Sequence, residues 1–352
     1  MFFRLTVQPA RRKMSRALDK STAASLGKGD ALAAYKAISE ALHLPATGEL
    51  LEIEVLPKSH QLGPGEYLLR DGPAIAVSKL GLVQAFLVAR EILKEHVGKS
   101  RPQTEEALLA STAVILLLDP EYITAANTRK RLLQAHEADA GDMSRRISEE
   151  RRVVDSFLTS RLHRHTKSPT LWGHRRWLIE LSIGLGMAAD VPGDMVNIIM
   201  VSGERHPRNY YAWLHARFLV GLPNTGPEAL DNAVIPGVKD WCLRHHTDIS
   251  GWSFLLFLLQ LRGRATERAT CVIFTDVLHL VTSLRWMNES IWVFLRTLAA
   301  SGLVGEAELA EFLGARETLL HATKDTTQKQ VLEASLGWYE TYRAQPLDSP
   351  LS

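Results

Sequence analysis

The words "TKSPTLWGHRRWL", residues 166–178, and "HPRNYYAWLHARF", residues 206–218, share a plan. Each has a proline ahead of a tryptophan. Each then has a histidine two residues after the tryptophan and an arginine four residues after it. The tryptophans, Trp172 and Trp213, are 41 residues apart. Self-similarity at that period marks stacked helical hairpins, because two helices and their turns occupy about that length. Working outward in both directions, the same register meets Ala126, Trp252 and Trp292.

The positions three, four and seven residues after each anchor lie on one side of an α-helix. They read Arg129, Lys130, Leu133, then Arg175, Arg176, Ile179, then Ala216, Arg217, Val220. The last two repeats read Leu255, Leu256, Leu259 and Leu295, Arg296, Ala299. Each second helix is thus expected to present an aromatic, a long basic or aliphatic side chain and an aliphatic. At helical spacing, Trp172, Trp213, Trp252 and Trp292 read as core anchors between neighbouring hairpins. Arg175, Arg176 and Arg217 are expected to run their stems along apolar surface, or over an indole face, with their heads paired. His174 and His215 recur at one offset, and Asn209 belongs to the same motif, so structural hydrogen-bonding roles are expected for all three.

Helical segments after about residue 100 alternate with breaks at Asp119-Pro120, Ser168-Pro169, Gly184 to Gly193, His206-Pro207 and Gly221 to Gly226. No strand-like alternation of any length appears in that region. The expected fold is all-α: an α-α superhelix, a crescent solenoid of helical hairpins, with a small irregular N-terminal lead-in. Expected boundaries are a disordered leader at 1–28, a lead-in at 29–100, the hairpin array at 101–345 and a tail at 346–352. Within the lead-in, Ala31–Leu42 reads as a short helix, Leu50–Leu56 as extended, Pro57 to Gly72 as a Gly/Pro-rich loop and Leu80–His96 as a helix. A pair at about Glu306–Ala322 and Thr326–Arg343 is expected to cap the array.

The 352 residues are 46% apolar, ample for a core, and carry a formal net charge of +2, so no global field favours a phosphate backbone. Nucleic acid is therefore not an expected partner. Two cysteines, Cys242 and Cys271, make neither a disulfide framework nor a Cys-rich zinc site. Apolar runs such as Phe254–Leu259 fall short of the about 18 residues that span a bilayer. A cytoplasmic protein, not integral to a membrane, is expected. The opening "MFFRLTVQPARRKMSR" holds five basic residues and no acid before Asp19, which resembles a mitochondrial presequence. Its plainer reading is a leader that is disordered or not translated, with Met14 as a start.

The motif words resemble protein prenyltransferase α-subunit repeats, across about residues 103–301. "SPTLWGHRRWLIE" and "HPRNYYAWLHARFLV" carry the resemblance best. "LDPEYITAANTRKRLL" is a weaker copy with Ala126 in the tryptophan's place, and "HTDISGWSFLLFLL" and "NESIWVFLRTL" keep the tryptophan. The lead-in words "LLEIEVLP" and "AIAVSKLGL" are similar to those of a divergent branch of the family. The resemblance implies an α-type subunit that wraps a catalytic β subunit, one like that of Rab geranylgeranyltransferase. That β partner would hold the zinc and the isoprenoid diphosphate, with no cofactor bound by this chain, and would prenylate a client cysteine, with geranylgeranyl the expected group. It also implies a place for Arg208 and Tyr210 near the diphosphate and the client tail. Arg208 stands where the family has lysine, five residues before the tryptophan, and Tyr210 matches directly. A cation there would stabilise charge gathering on the departing diphosphate.

Other features give no active site of the chain's own. No Gly-rich phosphate loop, nucleophile elbow or HExxH word occurs. His163, His165, His245 and His246 lack carboxylates or cysteines at ligand spacing, so no metal is expected on this chain. "HEADAGDMSRRISEERR", 136–152, reads as a solvated loop and helix start. The alternative to a prenyltransferase subunit is a non-enzymatic helical-repeat scaffold, since the first repeat has lost its tryptophan and the fourth its basic residues.

Overall fold

The computed structural model describes residues 30–43, 48–57, 60, 62–135, 140–223 and 225–343. The leader at 1–28 and the tail at 346–352 lie outside the described residues. The lead-in begins with α1 (Ala31–Ala41), whose N-cap Asp30 accepts from the amides of Leu32 and Ala33. Three strands follow, β1 (Glu52–Leu56), β2 (Leu68–Asp71) and β3 (Ala74–Ser78), and then α2 (Lys79–Val97).

The lead-in is therefore not irregular. Its strands form one sheet in the order β1-β3-β2, with β1 parallel and β2 antiparallel to β3. β2 occupies a stretch read above as loop. It has four residues, none fully buried, so it shows no inward–outward alternation. What makes it a strand is its partner: Gly72, at φ +54°, opens a two-residue turn that folds β2 back on β3. Ile53, Ile75 and Val77 are buried on the inner face, against the helices of the lead-in. Leu51 N–H donates to Ser156 Oγ and Arg161 N–H to Ile53 O, which tie β1 to the array.

The remainder is all helical. Hairpins form from α3 (Glu105–Leu118) and α4 (Ile123–Ala135), then α5 (Ala140–Leu158) and α6 (Pro169–Gly184). The third pairs α7 (residues 191–205, with a π-helical turn at Met195–Met200) with α8 (Tyr210–Val220). The fourth pairs α9 (residues 227–244, with a π-turn at Leu230–Val234) with α10 (Ile249–Arg262). The fifth pairs α11 (Glu267–Leu284) with α12 (Glu289–Ala300), and α13 (Glu306–Ala322) with α14 (Thr326–Tyr342) closes the row. Second helix packs on second helix from α4 through α6, α8, α10 and α12 to α14. This is a solenoid of hairpins.

The repeat is legible atom by atom. Four residues before each tryptophan stands the N-cap of its helix: Ser168, Asn209, Asp248 and Asn288. Each accepts a first-turn amide, satisfying a donor that has no partner within its helix. The tryptophans are buried, at 4% exposure or less. Three of them donate Nε1–H to the carbonyl six residues earlier: Trp172 to Thr166, Trp252 to His246 and Trp292 to Trp286. Trp213 is the exception; its Nε1 is buried without an acceptor. The residue two after each tryptophan packs on the tryptophan of the preceding hairpin. His215 lies 5.1 Å from Trp172, Phe254 5.3 Å from Trp213 and Phe294 5.0 Å from Trp252, ring centre to ring centre. Such aromatic contacts contribute about 0.5–1.5 kcal/mol each beyond the area they bury.

Candidate functional site

Two rows of charge run along the second helices, and a third set of side chains lies on the rim beside them. The first row is internal. Arg129 on α4 grips Glu150 on α5 through Nε (2.8 Å) and Nη2 (2.6 Å), and donates Nη1–H to Leu109 O and Thr112 Oγ1. Burial pushes the Glu150 carboxyl up, but the Arg129 charge, its hydrogen bonds and His174 together outweigh burial and hold the group below its usual range. His174, from the next hairpin, brings Nε2 within 3.3 Å of the same carboxylate. Burial nonetheless lowers the His174 pKa to about 4, so the ring is neutral at pH 7.

One hairpin on, Arg175 is fully buried. It donates Nε–H to Asp155 at 2.6 Å, lies 2.8 Å from Asp194 through Nη2, and donates Nη1–H to His215 Nε2 at 2.9 Å. An arginine only donates, so His215 must accept on Nε2 and carry its proton on Nδ1. Burial, then the Arg175 charge, hold His215 well below its ordinary pKa. Asp155 is pushed up by burial, with Arg175 opposing and the charge of Asp194 assisting. These are internal ties between hairpins.

The second row is half-exposed. A cation four residues after one anchor lies over the aromatic five residues after the next. Lys130 covers Trp177 at 5.4 Å, Arg176 covers Phe218 at 4.5 Å and Arg217 covers Phe257 at 4.3 Å. Leu256 and Thr297 replace both members at the next step, and the row resumes with Arg296 over Trp338 at 4.8 Å. Arg176 also donates to Glu180 and Arg217 to Ser253, so their heads are occupied.

The third set lies on the rim made by the turns entering α6 and α8. Arg208 has φ +59°, a left-handed conformation that a non-glycine residue adopts at a cost of about 1–2 kcal/mol. Its neighbours hold it there. Its N–H donates to Asp248 Oδ2 at 2.6 Å while Oδ1 of the same aspartate caps α10. The next residue, Asn209, is fully buried; its amide donates to Thr166 O and Ser202 Oγ as its Oδ1 caps α8. The Arg208 side chain is exposed and its guanidinium has no hydrogen bond or ion pair among the described residues. Tyr210 is 63% exposed beside Tyr211, rings 5.7 Å apart. Lys167 sits at the same register as Arg208 one hairpin earlier, five residues before Trp172. Between them the His163 and His206 rings stand 3.9 Å apart. Burial, then the charges of Lys167 and His163, lower the His206 pKa to about 4. At neutral pH the rim therefore carries Lys167 and Arg208 as cations, with an exposed tyrosine alongside.

Of the residues singled out by sequence, Arg208 and Tyr210 share this rim. Trp172, His174, Arg175, Asn209, Trp213, His215, Trp252 and Trp292 lie in the interior, and Arg176 and Arg217 on the cation–aromatic row. Lys167 was passed over, although its spacing to Trp172 equals that of Arg208 to Trp213. The capping set Ser168, Asp248 and Asn288 was missed too, and its signal was equally present: a Ser, Asp or Asn four residues before every tryptophan. Among the described residues no group of three His, Cys, Asp or Glu side chains could hold a metal ion, and no helix is long and apolar enough to cross a membrane.

Parts of this chain are similar to known proteins. The family described as ECM9 middle domain matches residues 171–280. Protein prenyltransferase alpha subunit repeat-containing protein 1-B of Xenopus laevis is 26% identical over 174 residues, 44% of this chain and 37% of that protein. Over 44% of its length the chain is thus similar to a prenyltransferase α-subunit repeat protein. Protein ECM9 of Saccharomyces cerevisiae is 30% identical over 188 residues, 53% of this chain and 48% of that protein. A geranylgeranyl transferase type-2 subunit alpha from Candida albicans is 28% identical over 119 residues, 33% of this chain and 31% of that protein. The aligned part thus spans well under half to about half the length of these repeat proteins.

Proposed function

We propose that this chain is the α-type subunit of a protein prenyltransferase, wrapping a β subunit like that of Rab geranylgeranyltransferase and supporting geranylgeranyl transfer to a cysteine of client proteins. Kinship with a transferase subunit and with the α-subunit repeat proteins supports the reading. The observation that carries it is Arg208. A strained backbone, pinned by Asp248 and by buried Asn209, presents an unpaired guanidinium at the rim beside exposed Tyr210. Strain held in place by neighbours is characteristic of functional positions.

The chemistry expected there is electrostatic. The β partner would supply the zinc and the isoprenoid diphosphate. Negative charge grows on the diphosphate as its bond to the isoprenoid breaks, and a fixed cation lowers the energy of that state more than of the ground state. Arg208 is a forked donor suited to two phosphate oxygens, and Lys167 adds a point charge from the adjacent hairpin. Tyr210 offers a hydroxyl and a flat apolar face for a client tail.

The test is co-expression with the β subunit, followed by prenyl transfer to a cysteine-bearing client. We expect a stable heterodimer. Arg208→Ala should lower the transfer rate by about tenfold or more, as for other preorganised donors, without dissolving the complex. Failure of any β subunit to co-purify would end the proposal. A second reading, a non-catalytic scaffold, draws on Ala126 and Leu256, where the repeat has lost its tryptophan and its cation. It would prevail if the heterodimer formed and transfer were indifferent to Arg208→Ala and Tyr210→Ala.

A further inference from the structure

We infer that a second, separate site on this chain binds a phosphate-type oxyanion, where the lead-in sheet abuts the first helices of the second and third hairpins. A cavity of about 170 Å³ opens there. One wall is β1 and the residues before it, Leu50 to Ile53; the other walls are the C-terminal end of α5, at Thr159 to Arg161, and α7, at Asn197, Val201 and Arg205. That volume suits a phosphate or diphosphate group and is small for most organic ligands.

The polar chemistry of the lining favours an anion. Arg161, in the bend after α5, and Arg205, at the end of α7, both line the space, and neither guanidinium has a hydrogen bond or ion pair among the described residues. Arg205 makes the stronger point. Its Nε–H is out of contact with water and has no acceptor. A buried, unpaired guanidinium N–H costs free energy that an incoming oxyanion would recover. Asn197 adds an exposed amide that can donate to the same group. The hydroxyls of Thr159 and Ser160 are turned to backbone carbonyls, of Asp155 and Phe157, and are not needed. Glu52 is the one carboxylate on the lining. It is exposed, in register with Ala74 of β3. Two arginines and one asparagine on the lining of a space this size form a donor set suited to phosphate oxygens.

The site is distinct from the rim of Arg208 and Tyr210. It does not depend on the prenyltransferase reading, because its walls include the lead-in sheet. The source of the phosphate is either a soluble molecule or a lipid headgroup; the chemistry is shared.

The experiment uses the full chain. Binding of inorganic phosphate and of pyrophosphate is measured by titration calorimetry at constant ionic strength, with chloride as the control anion. In parallel, the chain is sedimented with phosphatidylcholine vesicles with and without phosphatidic acid. We expect saturable binding to the soluble anions, to the phosphatidic acid vesicles, or to both, and the pattern names the source. Arg205→Gln should weaken binding about tenfold or more, as the loss of a charge-assisted contact does. Arg161→Gln, at an exposed position that should leave folding intact, should do the same. Arg205→Lys should recover part of the affinity, and Arg208→Gln should leave it unchanged. No binding in either arm overturns the inference. So does binding that survives both glutamine variants, or that falls only with Arg208→Gln, which would move the anion to the rim.

Discussion

Arg175→Met tests the internal charge row most directly. The methionine nearly matches the arginine stem in volume, so packing around α6 changes little, but the guanidinium is removed from a fully buried position. Asp155 loses a 2.6 Å partner, Asp194 its 2.8 Å neighbour and His215 the donor to Nε2. Breaking a buried ion pair by removing one member costs about 3–5 kcal/mol, because a buried charge is left uncompensated. That is a large share of a domain's stability, which is about 5–15 kcal/mol. The defect should depend on pH. Asp155 already has its pKa raised by burial, and without Arg175 it rises further. A carboxyl raised in the folded state binds protons more tightly there than in the unfolded chain. Stability then falls as pH climbs through the raised pKa, and acid restores it. The gap between variant and wild type should therefore narrow as the pH is lowered from 7 toward the ordinary carboxyl range, about 4. Arg175→Met/Asp155→Asn, which removes the arginine and one of its two carboxylates and leaves Asp194, should recover about 1–3 kcal/mol of the loss. Urea unfolding followed by far-UV circular dichroism and by tryptophan emission reads all three chains. A cost below about 1 kcal/mol, or a defect of equal size at both pH values, would refute the reasoning.

Further outcomes are expected. Trp252→Phe should cost about 1 kcal/mol more than Trp213→Phe, because it strips the bond to His246 O while the Trp213 Nε1 has no acceptor to lose; equal thermal shifts would contradict this. His165 and His174 are both lowered to about 4 by burial, so the folded chain resists taking protons that the unfolded chain accepts near pH 6.5. Stability should thus fall as pH drops from about 6.5 to about 4, and His174→Gln should flatten that slope in urea titrations; an unchanged slope would show the ring is not neutral in the folded chain.

The sequence alone was enough for the period, the helix class and the tryptophan register. Those are local facts. A cap four residues before Trp252 and an aliphatic seven residues after it lie on one short segment, so helical geometry relates them without reference to anything distant. Tertiary structure decided what each motif residue meets. Arg175 and Arg176 are adjacent in the chain, yet one is sealed among Asp155, Asp194 and His215 while the other lies over Phe218. A helix turns about 100° per residue, so neighbours face different surroundings, and the surroundings come from hairpins about 20 to 40 residues away. β2 shows the same limit, since its four residues are a strand only because β3 pairs with them. The rim shows it once more. Asp248, 40 residues on, takes the Arg208 backbone N–H, while among the described residues the Arg208 guanidinium meets none of the carboxylates that claim Arg129 and Arg175.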